Sequence, residues 1–211
     1  MDSLTLVIET ATAACSVALI EGGRVVAEAH EQVGRGHAEW LVPMIADLPG
    51  QGRARHILVD CGPGSFTGVR VGLAAARGLA IGWGAEVAGY SSLALVAAAG
   101  FAANPALDAL AVILEGGHGE VFMQHFKAPN LRPDGPFRSL APEAARTALG
   151  GGAAFGNGIH RLAALDPGLD LREALPRAAD AVLLPQDLAT LPPRPIYGRA
   201  PDARTLAERQ A

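Results

Sequence analysis

The sequence predicts an α/β fold of two related lobes, each with a mixed sheet led by an antiparallel meander and flanked by helices. Three observations carry this prediction. Residues 4–30 hold three apolar strand patterns in a row, two of them joined by Gly22-Gly23. Strand and helix patterns then alternate to about residue 99. After Asn104-Pro105 a strand-led pattern starts again in weaker form, which suggests duplication.

Residues 4–9 form a short, nearly continuous apolar run, the pattern of a buried strand, and residues 14–20 form a second. Gly22-Gly23 is a two-residue hairpin signal, because the tight turn needs positive φ at both positions. Residues 24–30 complete the meander. Gly34-Arg35-Gly36 then leads into a helix, where Leu41, Met44, Ile45 and Leu48 fall at helical spacing. Pro43 predicts that this helix starts late or kinks. Residues 56–60 read as a fourth strand. The run Gly62-Pro63-Gly64-Ser65-Phe66-Thr67-Gly68 follows, then a helix from Val69 to about Trp83. Residues 86–89 are a short strand, and Ser91-Ser92 can cap a third helix.

In the second half, residues 109–114 and 120–126 read as strands, with a proline-rich connection at 129–136. Pro142 and Glu143 open a short helix, residues 153–155 form a strand, and Gly156-Asn157-Gly158 precede another helix. The expected division is residues 1–104 for the first, partner-binding lobe and 105–211 for a reduced second lobe. The tail, residues 191–199, is extended, because its prolines exclude helix.

Half of the residues are hydrophobic, 18% are charged and the net charge is −4. Residues 1–106 carry six Arg against nine acids, and residues 107–211 eleven Lys or Arg against twelve. Neither half is basic, which argues against tight, direct binding of nucleic acid, since that affinity leans on phosphate neutralisation. Cys15 and Cys61 sit in apolar surroundings and read as small buried hydrophobes. No leader pattern opens the sequence, and no apolar run reaches the ~20 residues of a membrane span. The expectation is a soluble, cytoplasmic protein with no membrane partner.

The loop 62–68 could hold a phosphate or set a rigid turn. A Walker A loop needs a lysine after its last glycine, and here Val69 follows Gly68. The dinucleotide-binding glycine spacing also fails by one residue. As a turn, Ser65 or Thr67 caps the helix, while Gly62, Gly64 and Gly68 supply backbone freedom. Arg70 and Arg77 are the only charges of the helix, seven apart on one face. Gly72, Ala75, Leu79 and Gly82 share another face, and Val69, Leu73, Ala76, Ala80 and Trp83 a third. Each interior glycine costs roughly 1 kcal/mol against alanine. Gly72, Gly78 and Gly82 therefore imply close approach by another backbone. A helix apolar almost all round is buried, inside its domain or at an interface.

No catalytic or metal-binding set emerges. His37-Ala-Glu39 has no second histidine a turn away, and His30, His118 and His125 are scattered. Read as a nucleophile elbow, residues 64–68 would put Phe66 where the serine belongs.

Three strings together resemble the bacterial TsaB (YeaZ) family. They are Leu6-Val-Ile-Glu-Thr-Ala-Thr-Ala-Ala-Cys-Ser-Val-Ala-Leu19, Gly36-His-Ala-Glu-Trp-Leu-Val-Pro-Met-Ile45 and Gly62-Pro-Gly-Ser-Phe-Thr-Gly-Val-Arg-Val-Gly-Leu73. The resemblance is dense over residues 4–100. Later it rests on Gly119-Glu-Val-Phe122, Gly156-Asn-Gly158 and Pro195-Ile-Tyr-Gly-Arg199. It implies an actin-like (ASKHA) fold. It also implies a non-catalytic scaffold or activator subunit of the complex that forms N6-threonylcarbamoyladenosine at position 37 of ANN-decoding tRNAs. The implied partners are the TsaD transferase and the TsaE ATPase, with tRNA met indirectly and a homodimer when the chain is alone. No cofactor is expected for the isolated chain, and ATP with magnesium only in the assembled complex. The implied partner surface is Trp40, Leu41, Met44 and Ile45 on one helix and Val69, Gly72, Leu73, Ala76 and Leu79 on the next.

This sequence fits a non-catalytic role in two places. Active actin-like ATPases follow the first-strand carboxylate with a glycine-containing phosphate turn, whereas Glu9 is followed by Thr10-Ala-Thr-Ala-Ala14. Relatives resembling TsaB usually carry Asp where this chain has Glu9. TsaD-type metal binding uses paired histidines on the first helix, and only His37 is present there. Two alternatives stand beside this reading: an actin-like ATP-binding enzyme (ATPase or kinase) and a glycoprotease-like peptidase.

Overall fold

The computed structural model describes residues 4–198. The first sheet is made of β1 (Thr5–Glu9), β2 (Ala14–Glu21), β3 (Arg24–Gln32), β4 (His56–Asp60) and β5 (Glu86–Tyr90). Its spatial order is β3-β2-β1-β4-β5. The meander β1–β2–β3 is antiparallel, while β4 runs parallel to both β1 and β5. Gly22 and Gly23 carry φ of 56° and 73°, as the tight hairpin requires.

The central strands are apolar at consecutive positions because both faces of the sheet are covered. One face packs on α1 (His37–Ala46) and α2 (Phe66–Trp83), joining Leu6, Ile8, Val17 and Ile57 to Leu41, Met44, Ile45, Val69, Leu73 and Ala76. The other face joins Val7, Ala18 and Leu58 to Leu95 of α3 (Ser92–Ala103) and to Ala178 and Ala181. Ala178 and Ala181 lie in a 3₁₀ turn, Ala178–Leu183, contributed from far along the chain.

α1 starts at His37, without the late start that Pro43 suggested, and continues through Pro43 to Ala46. α2 begins at Phe66, three residues before the expected Val69, and ends at Gly84 in the left-handed conformation, φ 65°. α3 extends to Ala103. The expected cap by Ser91 or Ser92 does not form: neither side chain caps α3, and the Ser92 hydroxyl is held by Asp60 instead.

The second sheet has β6 (Ala109–Glu115), β7 (Val121–Lys127), β8 (Arg132–Pro133), β9 (Arg138–Leu140), β10 (Ala154–Phe155) and β11 (Leu171–Arg172). Its order is β11-β10-β6-β7-β8, with β9 also on β7. β6 and β7 are antiparallel, and β10 and β11 run parallel to β6. Both sheets thus repeat one plan, an antiparallel lead followed by parallel strands, as the sequence predicts for two related lobes. α4 (Pro142–Leu149) and α5 (His160–Ala163) cover one face through Ala145, Leu149 and Leu162. The other face packs on Leu93, Ala94, Val96 and Ala97 of α3. α3 therefore lies between the two sheets, which explains why its sequence shows no polar side.

β8, β9 and β11 escaped the sequence reading because two or three residues cannot display alternation. From Leu191 the chain runs extended along the first lobe, as its prolines predict. Gly89 and Leu191 exchange backbone hydrogen bonds of 2.7 and 2.9 Å, and Ile196 N donates to the Cys61 carbonyl at 2.8 Å. Arg199, the last residue of that expected extended stretch, lies outside the described residues.

Candidate functional site

Two features stand out: a joint with a cleft above it, and an exposed helical face. The joint brings the loop 62–68 onto the β1–β2 turn. Ser65 N donates to the Ala11 carbonyl at 2.6 Å, and Thr10 Oγ1 donates to the Gly68 carbonyl at 2.8 Å. The two backbones touch so closely that a Cβ on Gly64 would overlap the Ala11 carbonyl, and one on Gly68 the Thr10 carbonyl. Gly72 lies one turn further along α2, under Thr10 Oγ1. Gly62 has φ of 91°, open only to glycine at low cost. Ser65 caps α2 by accepting from Gly68 N at 3.2 Å, while Thr67 stays exposed.

Beneath the joint lie two fully buried carboxylates, Glu9 ending β1 and Asp60 ending the neighbouring β4. Glu9 accepts from Ala11 N at 2.8 Å and from the Tyr90 hydroxyl at 3.1 Å. Asp60 Oδ1 accepts from Gly62 N at 3.0 Å and from Ser92 Oγ at 2.8 Å, while Oδ2 makes no hydrogen bond among the described residues. Burial pushes both acids up, Asp60 to about 7, against the pull of its hydrogen bonds from Ser92 and Gly62. Glu9 rises well above the usual range through burial first and the Asp60 charge second. Asp60 was missed in the sequence, although an acid ending an apolar strand before a glycine loop is a readable signal. Both acids spend hydrogen-bonding capacity on the protein's own joint.

Above the joint is a cleft of about 680 Å³ between the lobes, walled by Thr12, Phe66 and Arg70 on one side and Gly116, Phe122 and Asn157 on the other. Asn157 Oδ1 accepts from Glu115 N at 3.1 Å, and His160 Nε2 lies 3.3 Å from Glu115 Oε1. His37 is buried at the start of α1, with Nε2 3.1 Å from the Ala14 carbonyl, so it anchors the helix start. Among the described residues no three His, Cys, Asp or Glu side chains gather as metal ligands, and no helix is long and apolar enough to cross a membrane.

The expected partner surface needs correction. Leu41, Met44, Ile45, Val69, Leu73 and Ala76 are at most 6% exposed and build the first lobe's own core. Gly72 is buried against Thr10, and Leu79 is half-buried. The sheet needs an apolar stripe from each helix, and these residues supply it. Of the expected set only Trp40, at 49%, is well exposed. The outward face is instead Val42 of α1 with Ala74, Gly78, Ile81 and Gly82 of α2, and Ile81 is 87% exposed. A Cβ on Gly78 or Gly82 would meet nothing within 4 Å. The sequence showed that α2 is apolar all round but not which stripe its own sheet takes.

Comparison with known proteins agrees with this architecture. A family model described as "TsaD: tRNA N6-adenosine threonylcarbamoyltransferase" matches residues 25–130, half of the chain. The Escherichia coli (strain K12) protein named "tRNA threonylcarbamoyladenosine biosynthesis protein TsaB" is 39% identical over 127 residues, covering 58% of this chain and 54% of that protein. The Haemophilus influenzae protein of the same name is 36% identical over 140 residues, covering 64% and 58%. The chain thus spans somewhat over half the length of the curated relatives it matches. The structure of YeaZ from Pseudomonas aeruginosa matches with a TM-score of 0.78 at 27% identity, over 93% of this chain and 100% of that one. The glycine joint, the paired sheets and these matches together place the chain in the TsaB/YeaZ family.

Proposed function

We propose that this chain is a non-catalytic subunit of the machinery that forms N6-threonylcarbamoyladenosine on ANN-decoding tRNAs, and that it docks on the TsaD transferase through the outer face of α1 and α2. TsaE joins the same assembly, tRNA is met through the complex, and the chain pairs with itself through this face when alone. The observation that carries the reading is the contrast among the α2 glycines. Gly72 is explained inside the chain, because Thr10 leaves no room for a side chain. Gly78 and Gly82 face open space, where alanine would strengthen the helix by about 1 kcal/mol each. Their place beside the exposed Ile81 fits close approach by a partner backbone. The names of the curated relatives point to the same pathway.

Co-purification with TsaD tests the reading. Gly78→Leu and Ile81→Glu each alter only the outward face, so both variants keep the wild-type circular dichroism spectrum and lose TsaD. Retention of TsaD at wild-type affinity by both would sink the interface. Ala76→Glu is no test of docking, since Ala76 is fully buried and the lobe would open first.

The interlobe cleft favours a second reading, an ATP-binding enzyme. Against it, the Ala11 amide, in the turn where a phosphate would be cradled, is already held by Glu9. Titration of the isolated chain with ATP and magnesium decides: micromolar affinity would restore the enzyme reading.

A further inference from the structure

Arg70 and Arg77, the two charges of α2, both reach the same distant segment. Arg77 Nη2 donates to the Pro193 carbonyl at 2.6 Å, and Arg70 Nη2 to the Tyr197 hydroxyl at 2.8 Å. The Arg70 guanidinium also lies 3.2 Å over the Phe66 ring, whose centroid is 6.3 Å from that of Tyr197. The segment starts on the edge of the first sheet, where Leu191 pairs with Gly89. It passes over Cys61, with the Pro192 carbonyl 3.7 Å from the thiol. At Gly198 it packs so tightly on Phe122 of the second lobe that a Cβ would overlap the ring. Residues 195–198 line the cleft.

We propose that residues 191–198 are a latch that spans the mouth of the cleft from one lobe to the other, is clamped by Arg70 and Arg77, and opens without unfolding the sheet beneath. The clamps are exposed hydrogen bonds, the kind that open at low free energy, whereas the strands below are buried. Opening removes one wall of the cleft, frees the edge of β5 and uncovers Cys61. Access to the cleft is then set by the latch. This inference is independent of which partner sits on α2.

The two cysteines report on it. Both thiols are buried in the first lobe's core, but Cys61 touches the latch through the Pro192 carbonyl, while Cys15 lies in β2. Labelling with a small thiol reagent, read at each cysteine by peptide mass spectrometry, compares the wild type with the double variant Arg70→Ala/Arg77→Ala and with Tyr197→Phe. The expected result is Cys61 labelling about tenfold faster in the double variant, a smaller rise in Tyr197→Phe, and no change at Cys15. Exchange of the Gly89, Leu191 and Ile196 amides should accelerate in the same variants. Unchanged Cys61 labelling in the double variant overturns the proposal. So does acceleration of Cys15 in step with Cys61, which would mean that the whole lobe opens.

Discussion

Thr10 and Gly68 hold each other across the joint of the first lobe: the Thr10 hydroxyl donates to the Gly68 carbonyl at 2.8 Å, and the Gly68 α-carbon lies where any Cβ would overlap the Thr10 carbonyl. The glycine string that first suggests a phosphate cradle is spent here on backbone-to-backbone contact with the β1–β2 turn.

Gly68→Ala should therefore destabilise the chain by about 3 kcal/mol, because the new methyl meets a carbonyl that cannot move aside. Gly78→Ala should do the opposite and stabilise it by about 1 kcal/mol, since its methyl enters open space. Urea denaturation of the two variants checks the pair. Equal effects would contradict the separation of an inner and an outer face on α2.

Stability should fall as pH rises toward and through neutrality. The folded-state pKa of Asp60 is raised to about 7, above its ordinary value of 3.8, so its neutral form is favoured by folding. That contribution is complete below the unfolded pKa and is lost as pH climbs through about 7. Asp60→Asn imitates the protonated acid, keeping an oxygen for Gly62 and Ser92. Thermal melts between about pH 5 and 8 should show a flatter dependence in this variant than in the wild type. The same slope in both would show that Asp60 does not hold the proton. His30 and His125, whose pKa values burial lowers, act in the opposite direction at acid pH and are common to both proteins.

Ser92→Ala should cost about 2 kcal/mol, since it strips a buried hydrogen bond from a carboxylate that already has one unpaired oxygen. Chemical denaturation measures the loss. The helix α3 should persist by circular dichroism, because its burial between two sheets, and not a serine cap, holds it. Loss of α3 itself would show that the hydroxyl acts as a cap.

The order of strands and helices in the first half was legible because each element there is long enough to show its period. Hairpin glycines and the fourth strand at residues 56–60 stand at their expected places, and α2 ends at the expected Trp83 after starting at Phe66. The family likeness was legible too, in the same glycine string. Three things needed the tertiary structure. The side of α2 that faces its own sheet decided that Leu73 and Ala76 are core and Ile81 is surface, since an all-apolar helix carries no mark of inside and outside. The adjacency of Glu9 and Asp60 depends on parallel pairing of strands about fifty residues apart. The return of residues 191–198 onto Arg70 and Arg77 rests on contacts more than a hundred residues apart. Local sequence determines periodicity and turns; which surfaces meet is settled only when two lobes close on a shared helix.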